Sequence, residues 1–479
     1  FSLLFIFLIK KSYQHKHIKV FFIYGWLFGF GYFASSLYWI SISLTFDQNY
    51  DFLIPIVIIL IPSFLAIFYG LTTYLFLLLK PKKIISSFLS FSLIFGSLEF
   101  IRGSIFTGFP WNLIAYSFSS QLEILSIISI IGTYGFNLFC ISLFTCPAIL
   151  ILSNTKKNIG VITFFLINIL LFYLHGTLYK DKFNLAIKKN FDFKIRVIGS
   201  NISLDRFYNN TNPSSVIKEL ISLSNPIGDK KIVFIWPEGI LPNIDQKDLI
   251  NYSQLFDEKF NQNHLLVIGI NSESENNGIM NYYNSLSVYD NQLNLLDYYN
   301  KINLVPFGEF LPFENIFRAI GLRSLTNNYQ SFSSGNTRNI IEIKKHNFSL
   351  KILPLICYEI IYSGKIFDNY DFDLIVNISE DGWFGQSIGP NQHFEHSIFR
   401  AIESGKYVLR SSNNGIAGIV NPIGIIEQNV SFGQSGYIDL EEIRKIQPTI
   451  FSKYGNKIFG LLILLYIFLI FSFNRTKNE

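Results

Sequence analysis

Six stretches of this chain are each long and apolar enough to cross a bilayer, and that constrains its fold more than any motif does. Spanning takes about 20 consecutive apolar residues. The candidates run at about 20–44, 52–79, 84–101, 121–152, 158–175 and 456–473, with a shorter apolar remnant at 1–9. Composition agrees: of 479 residues, 49% are hydrophobic and only 15% charged, where a globular domain has about a quarter of its residues charged. The excess is clustered, so the chain reads as a polytopic α-helical membrane protein with one large insertion, between about 180 and 455. It opens at Phe1 inside an apolar run, without a charged leader or a small-residue cleavage site. The expectation is a chain lacking its N-terminus, not a signal peptide.

The short loops predict an orientation. Lys10, Lys11, Lys16 and Lys19 follow the remnant, and Lys80, Lys82 and Lys83 follow the second full span. Lys156 and Lys157 follow the fourth, and Arg475 and Lys477 close the chain. The alternate short loops hold one basic residue, Arg102. Basic residues favour the cytoplasmic side, so the C-terminus is predicted inside and the insertion outside. The expected domains are transmembrane helices over 1–179, an extracytoplasmic domain over 180–455, and a last transmembrane helix with a short tail over 456–479. A formal charge of +5 without a basic stripe gives no sign of nucleic acid. Three cysteines cannot build a disulfide framework. Cys140 and Cys146 fall within an apolar span, which leaves Cys357 as the thiol of the insertion.

Within the insertion, apolar runs at 194–201, 231–238, 264–271, 349–357, 373–379, 407–412 and 416–422 read as strands, and 213–224, 246–261 and 391–405 read as helices. Strands apolar on both faces and separated by helices imply a layered α/β sandwich. Ligands in such sheets bind beyond the strand ends. Three runs end in capable residues: Glu238, Cys357 and, just past "NIS", Glu380 and Asp381.

By itself Cys357, at the end of "KILPLIC", fits an inert core thiol. To act as a nucleophile it needs a base and a group to stabilise an oxyanion. "IWPEGILP" offers Glu238, where loss of water could raise a carboxylate toward a working base. "YYNKINLVPFGEFLPF" offers Lys301 and, in a Pro/Gly-rigidified loop, Glu309. Taken singly, each residue has a plainer reading that is favoured: Glu238 caps a turn and Lys301 sits in solvent.

Taken together, "WPEGILP", "NKINLVPFGEFLP" and "ICYEIIY" resemble the three motifs of the nitrilase (carbon–nitrogen hydrolase) superfamily, whose triad is Glu, Lys and Cys. "GFGYFASSLYWISISL", "EFIRGSIFTGFPWNLIAYSF", "GPNQHFEHSIFRAIESGKYVLRSSNNGIAGIVNPIG" and "TIFSKYGNKIFG" closely resemble the membrane branch of that superfamily, the apolipoprotein N-acyltransferase family. The resemblance runs in order along essentially the whole chain and implies that further membrane helix precedes Phe1. It also implies a nitrilase-like αββα domain on the periplasmic side of the bacterial inner membrane. Glu238 would be the base, Lys301 the oxyanion stabiliser and Cys357 the nucleophile, with Glu309, Tyr358 and Glu359 in support. The implied reaction is ping-pong: an acyl chain passes from a phospholipid to Cys357 as a thioester, then to the amine of a diacylglyceryl-modified apolipoprotein cysteine. No cofactor is implied.

Three departures stand out. Gly199-Ser200-Asn201 replaces the family's Gln-Pro-Asn, Phe207 or Tyr208 stands for a tryptophan, and the "NISND" pattern appears as "NISED", in which Glu380 is expected to add negative charge near the site. His393 and His396 with Glu395 have helical spacing but no clear third ligand, so a structural role is favoured and no metal is expected. Glu99 and Arg102 at a membrane boundary suit a paired structural role at least as well as a functional one. Phe313, Ile316 and Phe317, with Ile320, form an apolar face that is either core or an interfacial lid. Two other functions compete: a membrane-tethered nitrilase-type amidase, and a transporter whose outer domain binds ligand. The transporter leaves Glu238, Lys301 and Cys357 without a purpose and finds no run of midplane charges in the spans.

Overall fold

The structure, a computed structural model, describes the chain except residues 15–16, 154, 209–210, 277, 320–330, 346–347, 367–369 and 476–479. It divides into two compact units. One comprises Phe1–Lys182, Tyr362–Lys365 and Pro448–Glu479, and the other Phe183–Ile361 and Ile366–Gln447.

The first unit is helical. Among the described residues, six helices are long and apolar enough to cross a membrane: Lys19–Phe46, Gln48–Leu78, Ile84–Arg102, Ile128–Leu152, Lys156–Asn184 and Lys457–Arg475. The first two pack closely, because a Cβ on Gly25 would lie 2.2 Å from Thr73 Oγ1 and 2.4 Å from the Tyr69 carbonyl oxygen. Small residues permit such approach where lipid supplies no hydrophobic drive between helices. Thr73 Oγ1 then donates to the Phe21 carbonyl at 2.6 Å. Glu99 and Arg102 form a buried ion pair, and Arg102 also donates to the Phe109 carbonyl, so the two charges are paired locally. The span expected at 121–152 is present as Ile128–Leu152 but is not straight. Gly132 adopts φ +69° inside it, and Pro147, which has no backbone N–H, interrupts its hydrogen bonding near the far end.

The second unit is built on twelve strands. They are β1 (Lys188–Ser200), β2 (Ile232–Ile235), β3 (His264–Asn276), β4 (Ile279–Asp290), β5 (Leu295–Asn300), β6 (Ile341–Lys345), β7 (Phe348–Ile356), β8 (Leu374–Glu380), β9 (Tyr407–Asn413), β10 (Ala417–Val420), β11 (Ile426–Val430) and β12 (Gly436–Arg444). Their hydrogen-bonded order is β5-β4-β3-β2-β1-β9-β8-β7-β6. The six strands from β3 to β7 along this path are parallel, while β4, β5 and β6 join antiparallel. The two ends of the path, β5 and β6, lie beside one another and close the sheet. An ion pair from Lys345 to Asp290 crosses that closure.

Helix Pro213–Ser224 buries Val216, Ile217, Leu220 and Ile221 against Ile198, Phe234, Trp236 and Ile268. Each such side chain contributes about 1.5–3 kcal/mol. Helix Gly389–Ser404 packs on β9 and β10. The helix expected at 246–261 is only a short 3-10 turn at Leu249–Tyr252 and a turn of α-helix at Ser253–Asp257. Leu249, Tyr252, Leu255, Phe256 and Phe260 from this stretch still pack on the core at helical spacing, although the helix is shorter than expected.

Candidate active site

Because β2, β7 and β8 are parallel, their carboxyl ends share one edge of the sheet, and β5, antiparallel to β4, ends there too. That edge gathers Glu238, Lys301, Cys357 and the end of "NISED" from four distant parts of the sequence.

Glu238 follows β2 by three residues. Its backbone lies against β3 so tightly that a Cβ on Gly269 would come within 2.5 Å of Glu238 Cα, so only glycine fits there. Glu238 Oε1 accepts from Lys301 Nζ at 3.0 Å and from Asn284 Nδ2 at 2.7 Å, and Oε2 accepts from the Glu380 backbone N–H at 2.9 Å. Lys301, the first residue past β5, also donates to Glu309 Oε1 at 3.0 Å. Glu309 is fixed in turn by Asn284 Nδ2 at 2.8 Å and by the Val305 N–H at 2.8 Å. Burial works against a charged Lys301, but Glu238 and Glu309 overcome it and hold the ammonium well above its ordinary pKa. Burial pushes Glu309 up, Lys301 pulls it back and Glu238 pushes it up again, leaving it above the usual carboxylate range.

Cys357 is the first residue of the turn Cys357–Ile361, immediately beyond β7, and takes φ +48°. A left-handed conformation in a side-chain-bearing residue costs on the order of 1 kcal/mol or more and marks a constrained position. Asn377 Nδ2, donating to the Leu355 carbonyl at 3.2 Å, helps hold this turn to β8. Cys357 as a residue is 8% exposed. Burial drives its pKa well up, the Glu238 charge adds to this, and Lys301 opposes it, while the Ser379 hydroxyl is within hydrogen-bonding reach. The resting group is therefore a neutral thiol in the field of the Glu238 carboxylate and the Lys301 ammonium.

Behind it, Asp381 is fully buried and accepts from Ser379 Oγ at 2.7 Å and from Arg410 Nη2 at 2.8 Å, with His393 Nδ1 at 2.9 Å. Burial would raise the Asp381 carboxyl, but Arg410 and His393 carry it below its usual range. The histidine singled out for its spacing is thus part of a buried polar cluster.

Other expected site residues are placed differently. The Glu359 carboxylate is 0% exposed and bonds backbone groups on either side of the site. Tyr358 is buried in the same turn. Phe313 is 75% exposed, just before the short helix Glu314–Ala319. The side chains of Ile316 and Phe317, and Ile320 altogether, lie outside the described residues. Glu380 does not add free negative charge to the site. Strand alternation turns its carboxylate to the other face of β8, where Arg206 pairs with it and Asn413 Nδ2 donates to it at 2.8 Å. Phe207 and Tyr208 stand 5.1 and 6.4 Å from the Trp383 ring, centroid to centroid. Sequence reasoning missed Asn284, Ser379, Arg206 and Arg338. The one signal available for Asn284 was its place on an inward-facing position of a polar strand.

Residues 1–146 match the family described as apolipoprotein N-acyltransferase N-terminal domain, and residues 233–446 match carbon–nitrogen hydrolase. An apolipoprotein N-acyltransferase of Rhodopseudomonas palustris is 32% identical over 461 residues, 93% of this chain and 84% of the relative. One from Rickettsia prowazekii is 32% identical over 454 residues, covering 93% and 88% of the two chains. Among solved structures, Saccharomyces cerevisiae Nit3, a member of branch 10 of the nitrilase superfamily, aligns with 52% of this chain and 90% of its own, at 17% identity and a TM-score of 0.35. Similarity of this extent over both units means that the chain belongs to the apolipoprotein N-acyltransferase family.

Proposed function

We propose that this chain N-acylates lipoproteins in two steps, through a thioester on Cys357. One observation carries the reading: a buried thiol on a left-handed turn lies beside a buried lysine held by two carboxylates. In the first step Glu238 accepts the Cys357 proton and the sulfur attacks an ester carbonyl of a phospholipid. Lys301 donates to the developing oxyanion. The ester C–O bond then breaks, the departing alkoxide takes the proton from Glu238, and a lysophospholipid leaves. In the second step the amine of an N-terminal diacylglyceryl-cysteine attacks the thioester and gives its proton to Glu238. The C–S bond breaks, an amide forms, and the proton returns to Cys357.

The choice of donor and acceptor is supported by the relatives' name and by the apolar helices of the first unit. Glu309 keeps Lys301 charged and aimed, while Tyr358 and Glu359 shape the turn that presents the thiol. Phe313, exposed just before the short helix, serves as a lipid-contacting cover, the role proposed from sequence for Ile316 and Phe317 as well. The alternating lysine loops support a periplasmic position for the catalytic unit at the bacterial inner membrane.

Intact-protein mass measurement after incubation with a defined diacyl phospholipid tests the first step. The native chain should gain one acyl group and Cys357→Ala none, at equal expression and membrane insertion. An adduct that survives in Cys357→Ala would overturn the assignment.

A further inference from the structure

We infer that Arg338 is a positioning residue of the active site, whose pairing with the buried Glu359 carboxylate keeps the Lys301 loop and the Cys357 turn in register. The inference takes from the thioester reading only the roles of Lys301 and Cys357.

The Glu359 carboxylate sits between the two segments. Its Oε2 accepts from the N–H of Ile356, the residue before Cys357, at 2.9 Å. Its Oε1 accepts from the N–H groups of Ile302 and Asn303, the two residues after Lys301, at 3.0 and 3.1 Å. One side chain thus fastens the backbone beside the nucleophile to the backbone beside the cation. Only the ionised form can do so fully, because a protonated carboxyl would turn an O–H toward one of these N–H donors.

A carboxylate that is 0% exposed needs a counter-charge. Arg338 supplies it with Nη2 at 2.6 Å from Glu359 Oε1, and further bonds fix the guanidinium, from Nη2 to Asn303 Oδ1 at 3.1 Å and from Nε to the Tyr299 hydroxyl at 3.2 Å. Tyr299 itself donates to Glu359 Oε1 at 2.7 Å. Among the described residues, the charged and titratable side chains bonded to Glu359 are Tyr299, from β5, and Arg338, from the irregular stretch before β6. Burial pushes the Glu359 pKa up, and Arg338 first, then Tyr299 and the backbone N–H groups, bring it below the usual range. Arg338 lies in none of the three motifs that carry the triad.

The sign of the effect follows. With the guanidinium gone, burial acts on Glu359 with less opposition and its folded-state pKa rises. The tie is then intact above that pKa and is lost as pH falls through it. Single-turnover acylation of Cys357 in the full-length Arg338→Gln chain should therefore show its acid limb displaced upward by about one pH unit or more. At about pH 6 the rate should fall on the order of tenfold to a hundredfold, as displaced reacting groups cost, and near pH 9 it should come within about threefold of native. Arg338→Lys, which keeps the charge but loses the fork, should fall between the two. A loss that is uniform with pH, or no loss, overturns the inference.

Alkylation of Cys357 by iodoacetamide across the same pH range separates the two readings. If the native chain forms no acyl adduct, the thioester reading fails, yet an upward-displaced alkylation profile in Arg338→Gln still supports the positioning role, and an unchanged profile refutes it. Should Arg338→Gln not accumulate in the membrane, an unchanged profile in Arg338→Lys refutes it equally.

Discussion

Burial works against the charge on Lys301, and Glu238 and Glu309 reverse that, so the proposed oxyanion donor is held as a cation. Replacing Lys301 or Glu238 by Ala should each cost on the order of a hundredfold or more in acylation rate, as loss of an oxyanion donor or a base does. Near-native turnover in Glu238→Ala would move the role of base to Glu309. Asn284 offers a finer test. It donates to both carboxylates at once, so Asn284→Leu keeps the volume but removes the donor from Glu238 and Glu309 together. Acylation should drop roughly tenfold to a hundredfold while the abundance of the protein in the membrane stays native. An unaltered rate would show that Lys301 and the Glu380 and Val305 N–H groups order the two carboxylates without Asn284. Glu238, Lys301 and Cys357 were legible because each lies in a motif with a distinctive neighbourhood. Asn284 was not, because it is one asparagine among many in a polar strand and its meaning comes from partners 46 and 25 residues away.

At the scale of elements, β8 shows why one departure from the family pattern was misread. Along "NISED" the side chains alternate, so Ser379 and Asp381 serve the site while Glu380 turns away to Arg206. The Glu380 N–H, not its carboxylate, contacts Glu238. Glu380→Asn, which restores the family residue, should leave a buried guanidinium unpaired and destabilise the protein by about 3–5 kcal/mol. Adding Arg206→Leu should recover much of that loss. Unfolding midpoints of the single and double variants in detergent would measure this, and equal midpoints for native and Glu380→Asn would contradict it. The strands apolar on both faces were legible from their runs, and so was the α/β class. β4, β5, β6, β11 and β12 were not, since edge and hairpin strands carry polar, alternating or exposed residues that no core imposes. The break at Gly132 was hidden for the opposite reason, since an unbroken apolar composition runs through it.

At the scale of the whole molecule, hydropathy gave the spans and the lysine loops gave an orientation. Asn251 is exposed in the second unit, so a cysteine placed there in an otherwise cysteine-free chain should react with an impermeant reagent in intact cells. Labelling only after lysis would reverse the orientation. Membrane helices and a water-poor thiol matter together because a thioester exposed to water is lost by hydrolysis. An acyl-enzyme waiting for an amine has to be shielded, whereas a hydrolase needs no such interval. The fate of the adduct is therefore the most direct test. The acylated native chain, freed of donor lipid, should hold its acyl group on Cys357 and release it when a diacylglyceryl-cysteine peptide is added, leaving a third chain in amide linkage on that peptide. Immediate decay to free fatty acid, with the lipopeptide making no difference, would contradict the transferase and leave a membrane-bound hydrolase.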